Sequence, residues 1–425
     1  MSDPAGPSRV LRLDLVFYLV SLTFAGASAL FSEFYGYRVW GNFATIGYLL
    51  AIVASITARR RSRWIGVGLA GLFAIIVPTI VLAIRRAPDF VWGPWPWSFP
   101  AQPEVWVIER SARLLLDNGT PYADLTALGR PPIPDDYTPY GPVMTVFGLP
   151  RAIFGASPVT DARLLFLIIS ALLIVLTLRV LDWPSVPIPA AQLAVISPLT
   201  ALTATVAGDD LPVIASIVLG TALVYRAGPV PAGIACALVV NMKLTALPAL
   251  GVLAVAMIAH RGGKALIVFL GTIIAGTAVV VLPVLLVDPN AFVEHVIRFP
   301  AGLGQARSPA ASPFPGHLIA AAGPVGHAIA IGLLGIAACA IAGWLVLRPP
   351  RTAADAMLCN AAALTGVIIL APASRWGYLI YPIAMLGAMI AFRASSTPLD
   401  PTAEPHAHGG TPVGPTESAV HPDTY

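Results

Sequence analysis

Residues 103 to 142 gather more polar chemistry than any other segment of this chain. They read PEVWVIERSARLLLDNGTPYADLTALGRPPIPDDYTPYGP and hold six of the 21 acidic residues, and Asp89 and Asp161 flank them. A carboxylate that reaches a substrate at hydrogen-bond distance can take a proton from it as a general base. We therefore expect this segment to carry the activity of the protein.

Glu104 stands at the predicted start of a helix. Pro103 suits the first position of a helix, so Glu104 would lie in the first turn. The helix should run to about Asp117 and end at Asn118-Gly119, because glycine readily adopts the left-handed conformation that closes a helix.

Two interpretations of the charges on this helix remain open. Glu104 could simply complement the helix dipole, and Glu109 with Arg113 could form an ordinary ion pair one turn apart. Alternatively, Glu104 is a reactive group presented at the helix end. Spacing alone favours the structural interpretation.

The end of the segment, PPIPDDYTPYGP, combines adjacent acids with two tyrosines. Prolines could make it a stiff surface turn. It could equally be a sugar platform, in which the rings of Tyr137 and Tyr140 contact the sugar and Asp136 binds hydroxyls.

Acidic and basic residues also stand at the ends of apolar runs farther along the chain. Asp209 and Asp210 follow one such run, and we expect Asp210 to cap the next helix and Asp209 to serve a substrate. Lys243 lies within VVNMKLTALPAL, where it either extends towards the interface or pairs with an anion such as a phosphate.

The late segment APASRWGYLIYP holds Arg375 and Tyr378, which form either an aromatic belt with a flanking cation or part of the site. His295 and Arg298, one helical turn apart in AFVEHVIRF, could line the same cavity.

No phosphate-binding glycine loop or dinucleotide fingerprint is present, so an activated donor should come from the membrane. We expect no cofactor and no metal, since no Cys/His spacing suggests one.

Composition predicts the elements that must position these residues. The chain is 57% hydrophobic and 11% charged, with a mean hydropathy of +0.80, which excludes an ordinary soluble domain. Apolar runs recur near the length of about 20 residues that a membrane-spanning helix needs. The prediction is an all-α polytopic membrane protein.

Basic residues predict the orientation of these spans. Residues 59–63 read RRRSR between the second and third runs, which places that loop in the cytoplasm. Both termini are then cytoplasmic, and the acidic segment between spans 3 and 4 is extracytoplasmic. We predict one integral-membrane domain over 1–393, with outer loops at 85–160 and 288–324, and a disordered cytoplasmic tail over 394–425. The twelve predicted spans are about 15–31, 39–58, 64–84, 163–181, 190–206, 211–225, 231–240, 245–260, 265–287, 326–347, 354–371 and 378–392.

The order of these motifs resembles the GT-C glycosyltransferases, and within them the actinobacterial polyprenyl-phosphate-mannose-dependent mannosyltransferases of phosphatidylinositol mannoside and lipomannan synthesis. Two features depart from that family: the acid is Glu where Asp is usual, and two extra spans precede the loop. The matching elements are Glu104, Asn118-Gly119-Thr120-Pro121-Tyr122, Tyr137-Thr138-Pro139-Tyr140-Gly141-Pro142, Gly208-Asp209-Asp210, Lys243 with Pro248, and Arg375 to Pro382.

The resemblance implies inverting transfer of a sugar from a polyprenyl phosphate to a glycolipid or cell-envelope glycan at the outer membrane face. Glu104 would be the general base, and Lys243 and Arg375 would hold the donor phosphate. Mannose is the expected sugar, with arabinofuranose as the other candidate, and neither nucleic acid nor a cofactor is expected. The alternative is a lipid or polyol flippase without sugar transfer. The remaining substrate-binding candidates are Tyr122, Asp136, Tyr137, Tyr140, Asp209, Asp210, His295, Arg298 and Tyr378.

Overall fold

The structure is a computed structural model that describes residues 7–57, 63–86, 100–306, 308 and 310–396. These ranges contain helices and no strand, which confirms the all-α prediction. The α-helices are α1 (Pro7–Phe31), α2 (Tyr35–Thr57), α3 (Arg63–Gly71), α4 (Val77–Arg85), α5 (Pro103–Asn118), α6 (Leu149–Phe154), α7 (Ala162–Val180), α8 (Ile188–Ala194), α9 (Pro198–Val206), α10 (Asp210–Arg226), α11 (Pro229–Val240), α12 (Leu247–Arg261), α13 (Gly263–Val287), α14 (Pro289–Phe292), α15 (Pro315–Ala320), α16 (Pro324–Leu347), α17 (Ala353–Leu370) and α18 (Ile380–Ser396).

Nine helices in the described ranges are long and apolar enough to cross a membrane, or ten if the bent pair α8–α9 counts as one span. The predicted membrane protein is thus confirmed, but its count of about twelve spans is not. The difference lies in three segments: α8 and α9 are bent by 46°, α10 has 17 residues and α11 has 12.

The predicted helix of the acidic segment is present as α5, with Pro103 in its first turn. Gly119 ends it at a φ of 74°, and its amide donates to the carbonyl of Leu115 at 3.0 Å. Both ends therefore confirm the prediction, because each depends on local chemistry that the sequence displays.

A short π-helical segment, Leu72–Ile76, joins α3 to α4 within one span. Pro78 has no amide hydrogen, so the carbonyl of Ala74 loses its ordinary helical donor. The indole of Trp40 donates to that carbonyl at 2.8 Å, and the hydroxyl of Thr205 donates at 3.2 Å. One freed carbonyl thus connects the π-helical segment to both α2 and α9.

The break between α8 and α9 is satisfied in a similar way. Tyr48 of α2 is fully buried and donates its hydroxyl to the carbonyl of Ile196 at 2.8 Å. Ser197 accepts the amide of Thr200 and so caps α9. Unpaired backbone groups are costly away from water, so these contacts stabilise the bent pair.

Polar contacts distinguish the two ends of this bundle. Asp14 at the start of α1 accepts bonds from Arg63 at the start of α3 and from Gln192 of α8. At the far end of α9, the carbonyl of Val206 accepts the amide of Gln102 at 2.8 Å, which places the start of α5 there. Arg59 to Arg61 and the predicted tail beyond residue 396 lie outside the described residues.

A buried ion network fixes α5 against α7. Glu109 accepts two bonds from Arg86 at 2.6 and 2.9 Å, and Arg86 also reaches Asp161 at 3.1 Å. The predicted pair of Glu109 with Arg113 is therefore wrong, because Glu109 faces the interior and Arg113 pairs with Asp117 on the surface at 3.0 Å.

Asp161 completes the network at the start of α7. It accepts the side chain of Arg163 at 2.7 and 2.8 Å and the backbone amide of the same residue at 3.0 Å. Burial alone would raise the pKa of Asp161, but Arg163 and Arg86 hold this pKa below its usual value. The carboxylate thus remains charged in the interior.

Candidate active site

Glu104 and Arg375 form an ion pair at the beginning of α5, through Oε1 of the acid and Nη1 of the base. The side chain of Glu104 is 16% exposed and that of Arg375 is 35% exposed. The other carboxylate oxygen, Oε2, is buried and has no hydrogen-bond partner in the described part of the chain. One oxygen of Glu104 is thus held by a cation while the other remains able to accept a proton.

Lys243 lies between α11 and α12 and is shared by two acids. Its Nζ donates to Oδ2 of Asp209 at 2.9 Å and to Oδ1 of Asp210. Tyr381 of α18 donates its hydroxyl to the same oxygen of Asp210 at 2.7 Å. The predicted capping role of Asp210 is therefore wrong: its side chain points to Lys243 and Tyr381, and α10 begins without a side-chain cap.

The segment around Tyr140 holds the lysine in place. The amide of Gly141 donates to the carbonyl of Met242 at 3.1 Å, and the amide of Val143 donates to the carbonyl of Asn241 at 3.0 Å. On the other side, Tyr122 donates its hydroxyl to the carbonyl of Tyr140 at 2.9 Å. The segment that follows α5 is thereby joined directly to the turn that carries Lys243.

Two aromatic rings lie between the ion pair and the lysine. Nζ of Lys243 is 5.6 Å from the ring centre of Tyr140 and 5.3 Å from that of Tyr378. Tyr378 follows Arg375 on a single 3₁₀ turn and donates its amide to the carbonyl of Arg375 at 3.0 Å. The structure thus brings Glu104, Lys243 and Arg375 to one place, around the rings of Tyr140 and Tyr378.

Comparison with known proteins adds one match. The model of glycosyltransferase family 87 matches residues 137–373, which is more than half of the chain. The chain belongs to glycosyltransferase family 87. No curated protein and no solved structure matches it.

The family 87 match includes only some residues of the candidate site. It includes the cluster of Asp209, Asp210 and Lys243, and it ends before Arg375. Glu104 lies before the matched region. Membership therefore supports a membrane glycosyltransferase, while any role of Glu104 and Arg375 depends on their geometry.

His295 of this family 87 protein is fully buried and links separate segments of the chain. Its Nδ1 accepts the amide of Thr138 at 2.9 Å, and Nε2 lies 2.9 Å from the carbonyl of Ala123, to which it donates. Burial lowers the pKa of His295 to about 4, so the imidazole is neutral at physiological pH. The ring of His295 thus joins its own segment to the segments of Ala123 and Thr138.

Tyr137 and Arg298 are likewise placed away from the ion pair. The ring of Tyr137 stacks on Phe299 with the ring centres 4.0 Å apart, and its hydroxyl accepts the amide of Gln305 at 3.1 Å. Arg298 pairs with Glu294 at 3.0 Å and is 55% exposed. Tyr137 therefore has no free face for a sugar, and Tyr140 is the tyrosine of this segment that borders the site.

The two adjacent acids of the proline-rich turn have different surroundings. Asp136 is occupied by Arg130, at 2.6 and 2.7 Å, and by the amide of Ile133 at 2.8 Å. Asp135, which the sequence interpretation missed, is half-buried and has no hydrogen-bond partner among the described residues. Both acids lie in the 3₁₀ turn Pro134–Asp136, and the position of Asp136 three residues after Ile133, whose amide it accepts, is the signal that could have separated the two.

An apolar cavity of about 70 Å³ adjoins the lysine cluster. Thr245, Tyr378 and Tyr381 form its boundary with the polar site. Its remaining wall belongs mainly to α17 and the residues after it: Leu364, Val367, Ile368, Ala371, Ala373 and Ser374. Tyr378 and Tyr381 thus contact both the charged groups of the site and the apolar cavity.

Within the described ranges, no three His, Cys, Asp or Glu side chains are grouped so that they could hold a metal ion. The acids of the site are instead matched with cations, Glu104 with Arg375 and Asp209 and Asp210 with Lys243.

Proposed function

We propose that this chain transfers a sugar from a polyprenyl-phosphate donor to a hydroxyl group of a glycolipid or cell-envelope glycan, with inversion at the sugar carbon. The observation that carries the proposal is the state of Glu104: Oε1 is held by Arg375, while the buried Oε2 has no partner in the described part of the chain. A general base needs such an available oxygen at a fixed position.

In the proposed reaction, Oε2 of Glu104 accepts the proton of the acceptor hydroxyl. The acceptor oxygen forms its bond to the anomeric carbon as the bond from that carbon to the phosphate oxygen breaks. Polyprenyl phosphate leaves with the electron pair of that bond. The guanidinium of Arg375 is partly exposed and donates to Glu104 through Nη1, so other N–H groups face the incoming phosphate.

Lys243 has a different part in this proposal. Its ammonium has three donors, two of which are taken by Asp209 and Asp210. The acids keep the lysine charged and fixed beside Tyr140 and Tyr378, where its field stabilises the negative charge of the leaving phosphate. Arg375 is the direct phosphate contact, and Lys243 is the buried cation behind it.

Two observations support a lipid-linked donor. The sequence has no nucleotide-binding motif, and the cavity bounded by Tyr378 and Tyr381 offers an apolar space next to the charged groups. Mannose as the sugar, and an outer membrane face as the location of the site, follow from the family resemblance and from the arginine-rich loop. A flippase without sugar transfer is not favoured, since the matching family consists of glycosyltransferases.

The test uses the purified chain in lipid nanodiscs with radiolabelled polyprenyl-phosphate mannose or polyprenyl-phosphate arabinofuranose and with glycolipid and glycan acceptors extracted from the cell envelope. We expect transfer by the wild type and a loss of at least about 100-fold in kcat for Glu104→Gln. Asp117→Asn is the matched control, because Asp117 lies on the same helix but is exposed. Full transfer by Glu104→Gln would overturn the base, and no transfer from either donor by the wild type would overturn the proposed donor class.

A further inference from the structure

The backbone that carries Arg375 has no regular secondary structure of its own. Helix α17 ends at Leu370 and the next 3₁₀ turn begins at Trp376, so residues 371–375 form an irregular connection. A group that binds the reacting part of a substrate must keep its place, because a displacement of about 1 Å can reduce a rate about 100-fold. The position of Arg375 therefore depends on what packs against this connection.

Two hydrogen bonds reach the connection from the segment around α15, residues 310–320. The hydroxyl groups of Ser312 and Ser374 lie 2.7 Å apart and are hydrogen-bonded, and both side chains are buried. Ser374 directly precedes Arg375. Nδ1 of His317 donates to the carbonyl of Pro372 at 3.1 Å, since a carbonyl can only accept. The α15 segment thus contacts the residues immediately before the arginine.

Gly316 brings the backbones of the two segments into direct contact. A Cβ atom at residue 316 would come within 2.2 Å of the carbonyl oxygen of Leu370, so glycine alone allows α15 to lie this close to the end of α17. Hydrogen bonds and a backbone contact of this kind tolerate only small displacements, whereas apolar side chains can slide past one another. The α15 segment therefore fixes the register of the connection as well as covering it.

The same connection forms part of the apolar cavity beside the lysine cluster. Ala371, Ala373 and Ser374 line that cavity, and Arg375 follows them directly. In the proposed reaction both features serve the sugar donor, the cavity through its lipid and Arg375 through its phosphate. A shift of the connection should therefore affect the sugar donor more than the acceptor.

We propose that Ser312 and His317 are positioning residues, which hold Arg375 and the adjoining cavity wall in place for the sugar donor through Ser374 and Pro372. The inference rests on the proposed function and adds two residues to it from a part of the chain that the reaction itself does not use. Neither side chain touches the substrate, so each acts only through the connection.

Single substitutions separate this role from a general loss of structure. Ser312→Ala and His317→Leu each remove one bond, and we expect kcat/KM for the sugar donor to fall at least about 10-fold while the KM for the acceptor stays unchanged. His317→Asn should restore transfer, because its side-chain amide can donate from the place of Nδ1. Ser308→Ala is the matched control, since Ser308 accepts the amide of Ala310 within its own segment. Equal losses for sugar donor and acceptor, or no rescue by His317→Asn, would refute the role.

A reversible cross-link tests whether the contact persists during the reaction. Ser312→Cys combined with Ser374→Cys places two thiols within reach of a disulfide, whose sulfur atoms lie about 2 Å apart. The pair is made in a Cys339→Ala background, because Cys339 is exposed, and is oxidised with copper phenanthroline. We expect the oxidised pair to transfer sugar as fast as the pair reduced with dithiothreitol. A loss of transfer that reduction restores would show that the segments must separate, which contradicts the proposal.

A third arm needs no substrate. Trp376 directly follows Arg375 and is exposed, so fluorine NMR of fluorotryptophan-labelled protein in nanodiscs reports on the connection, with the line assigned by Trp376→Phe. His317→Leu should shift this line, and His317→Asn and Ser308→Ala should leave it in place. Such a shift supports the contact even if the wild type transfers no sugar and the proposed function fails. An unchanged line in His317→Leu would sink the inference.

Discussion

The backbone of Gly141 lies directly against the carbonyl group of Asn241, and a Cβ atom on residue 141 would come within 2.2 Å of that carbonyl oxygen. Tyr140 directly precedes Gly141 and Lys243 follows Asn241 by two residues, so the close approach sets the distance between the aromatic ring and the ammonium. Glycine is needed here for space, since its φ of −70° is open to any residue.

Gly141→Ala should therefore destabilise the protein by about 1–3 kcal/mol and reduce sugar transfer further, because both segments must separate. Thermal unfolding and transfer assays of the nanodisc-embedded variant measure the two effects. Gly251→Ala is the control: no atom lies within 4 Å of its new Cβ, and alanine is the better helix former. A stable and active Gly141→Ala variant would contradict the role of this contact.

Lys243→Met should be strongly destabilising. It leaves Asp209 and Asp210 buried without their cation, and removing one member of a buried ion pair costs about 3–5 kcal/mol. Adding Asp209→Asn and Asp210→Asn should restore most of the lost thermal stability without restoring transfer. If Lys243→Met unfolds at the wild-type temperature, the cluster is not a buried ion network.

Stability should fall in mild acid because of His295. Its pKa is about 4 in the folded protein and about 6.5 in an unfolded chain, so between these values the unfolded state binds more protons. The free energy of unfolding should decrease as the pH falls from about 6.5 to 4, by at most about 3 kcal/mol, and then level off.

Thermal unfolding measured at intervals of pH between 4 and 7 checks this effect. His295→Gln should be less stable at neutral pH, because it cannot reproduce both bonds of the imidazole. It should also lose part of the dependence on pH in this range. An identical pH profile for the two proteins would exclude His295 as the cause.

The buried acid and the exposed acid of α5 should differ in their effect on stability. Glu109→Gln removes the charge that Arg86 contacts in the interior and should cost about 3 kcal/mol. Asp117→Asn removes an exposed ion pair and should cost at most about 1 kcal/mol. Comparable losses in thermal unfolding would contradict the buried network.

Local features of this fold could be predicted from the sequence. The first turn of α5 and the left-handed Gly119 each depend on a few adjacent residues. Long apolar runs likewise predicted the membrane helices, although three of the predicted spans are short or bent in the structure. Such signals need no knowledge of what packs against the chain.

Contacts between distant residues could not be predicted in the same way. Glu104 and Arg375 are 271 positions apart, and the apolar helices between them show no strong periodicity that would set their neighbours. Lys243 was identified as a functional cation, but its pairing with Asp209 and Asp210 depends on how α10, α11 and α12 pack. Asp136 was favoured over Asp135 for a different reason: the local turn, in which Asp136 accepts the amide of Ile133 and pairs with Arg130, was not recognised in the sequence.

Trp40 and Tyr48 of α2 donate to the carbonyls of Ala74 and Ile196, which lie where the helices are irregular. In hydrocarbon, a carbonyl without a donor cannot turn to water, so an irregular span is tolerated only where other protein shields it. A chain shortened to begin after α2 would leave the carbonyl of Ile196 without the hydroxyl of Tyr48, and the carbonyl of Ala74 with the hydroxyl of Thr205 alone. The α2 helix therefore acts as an internal solvent for the irregular helices that pack against it.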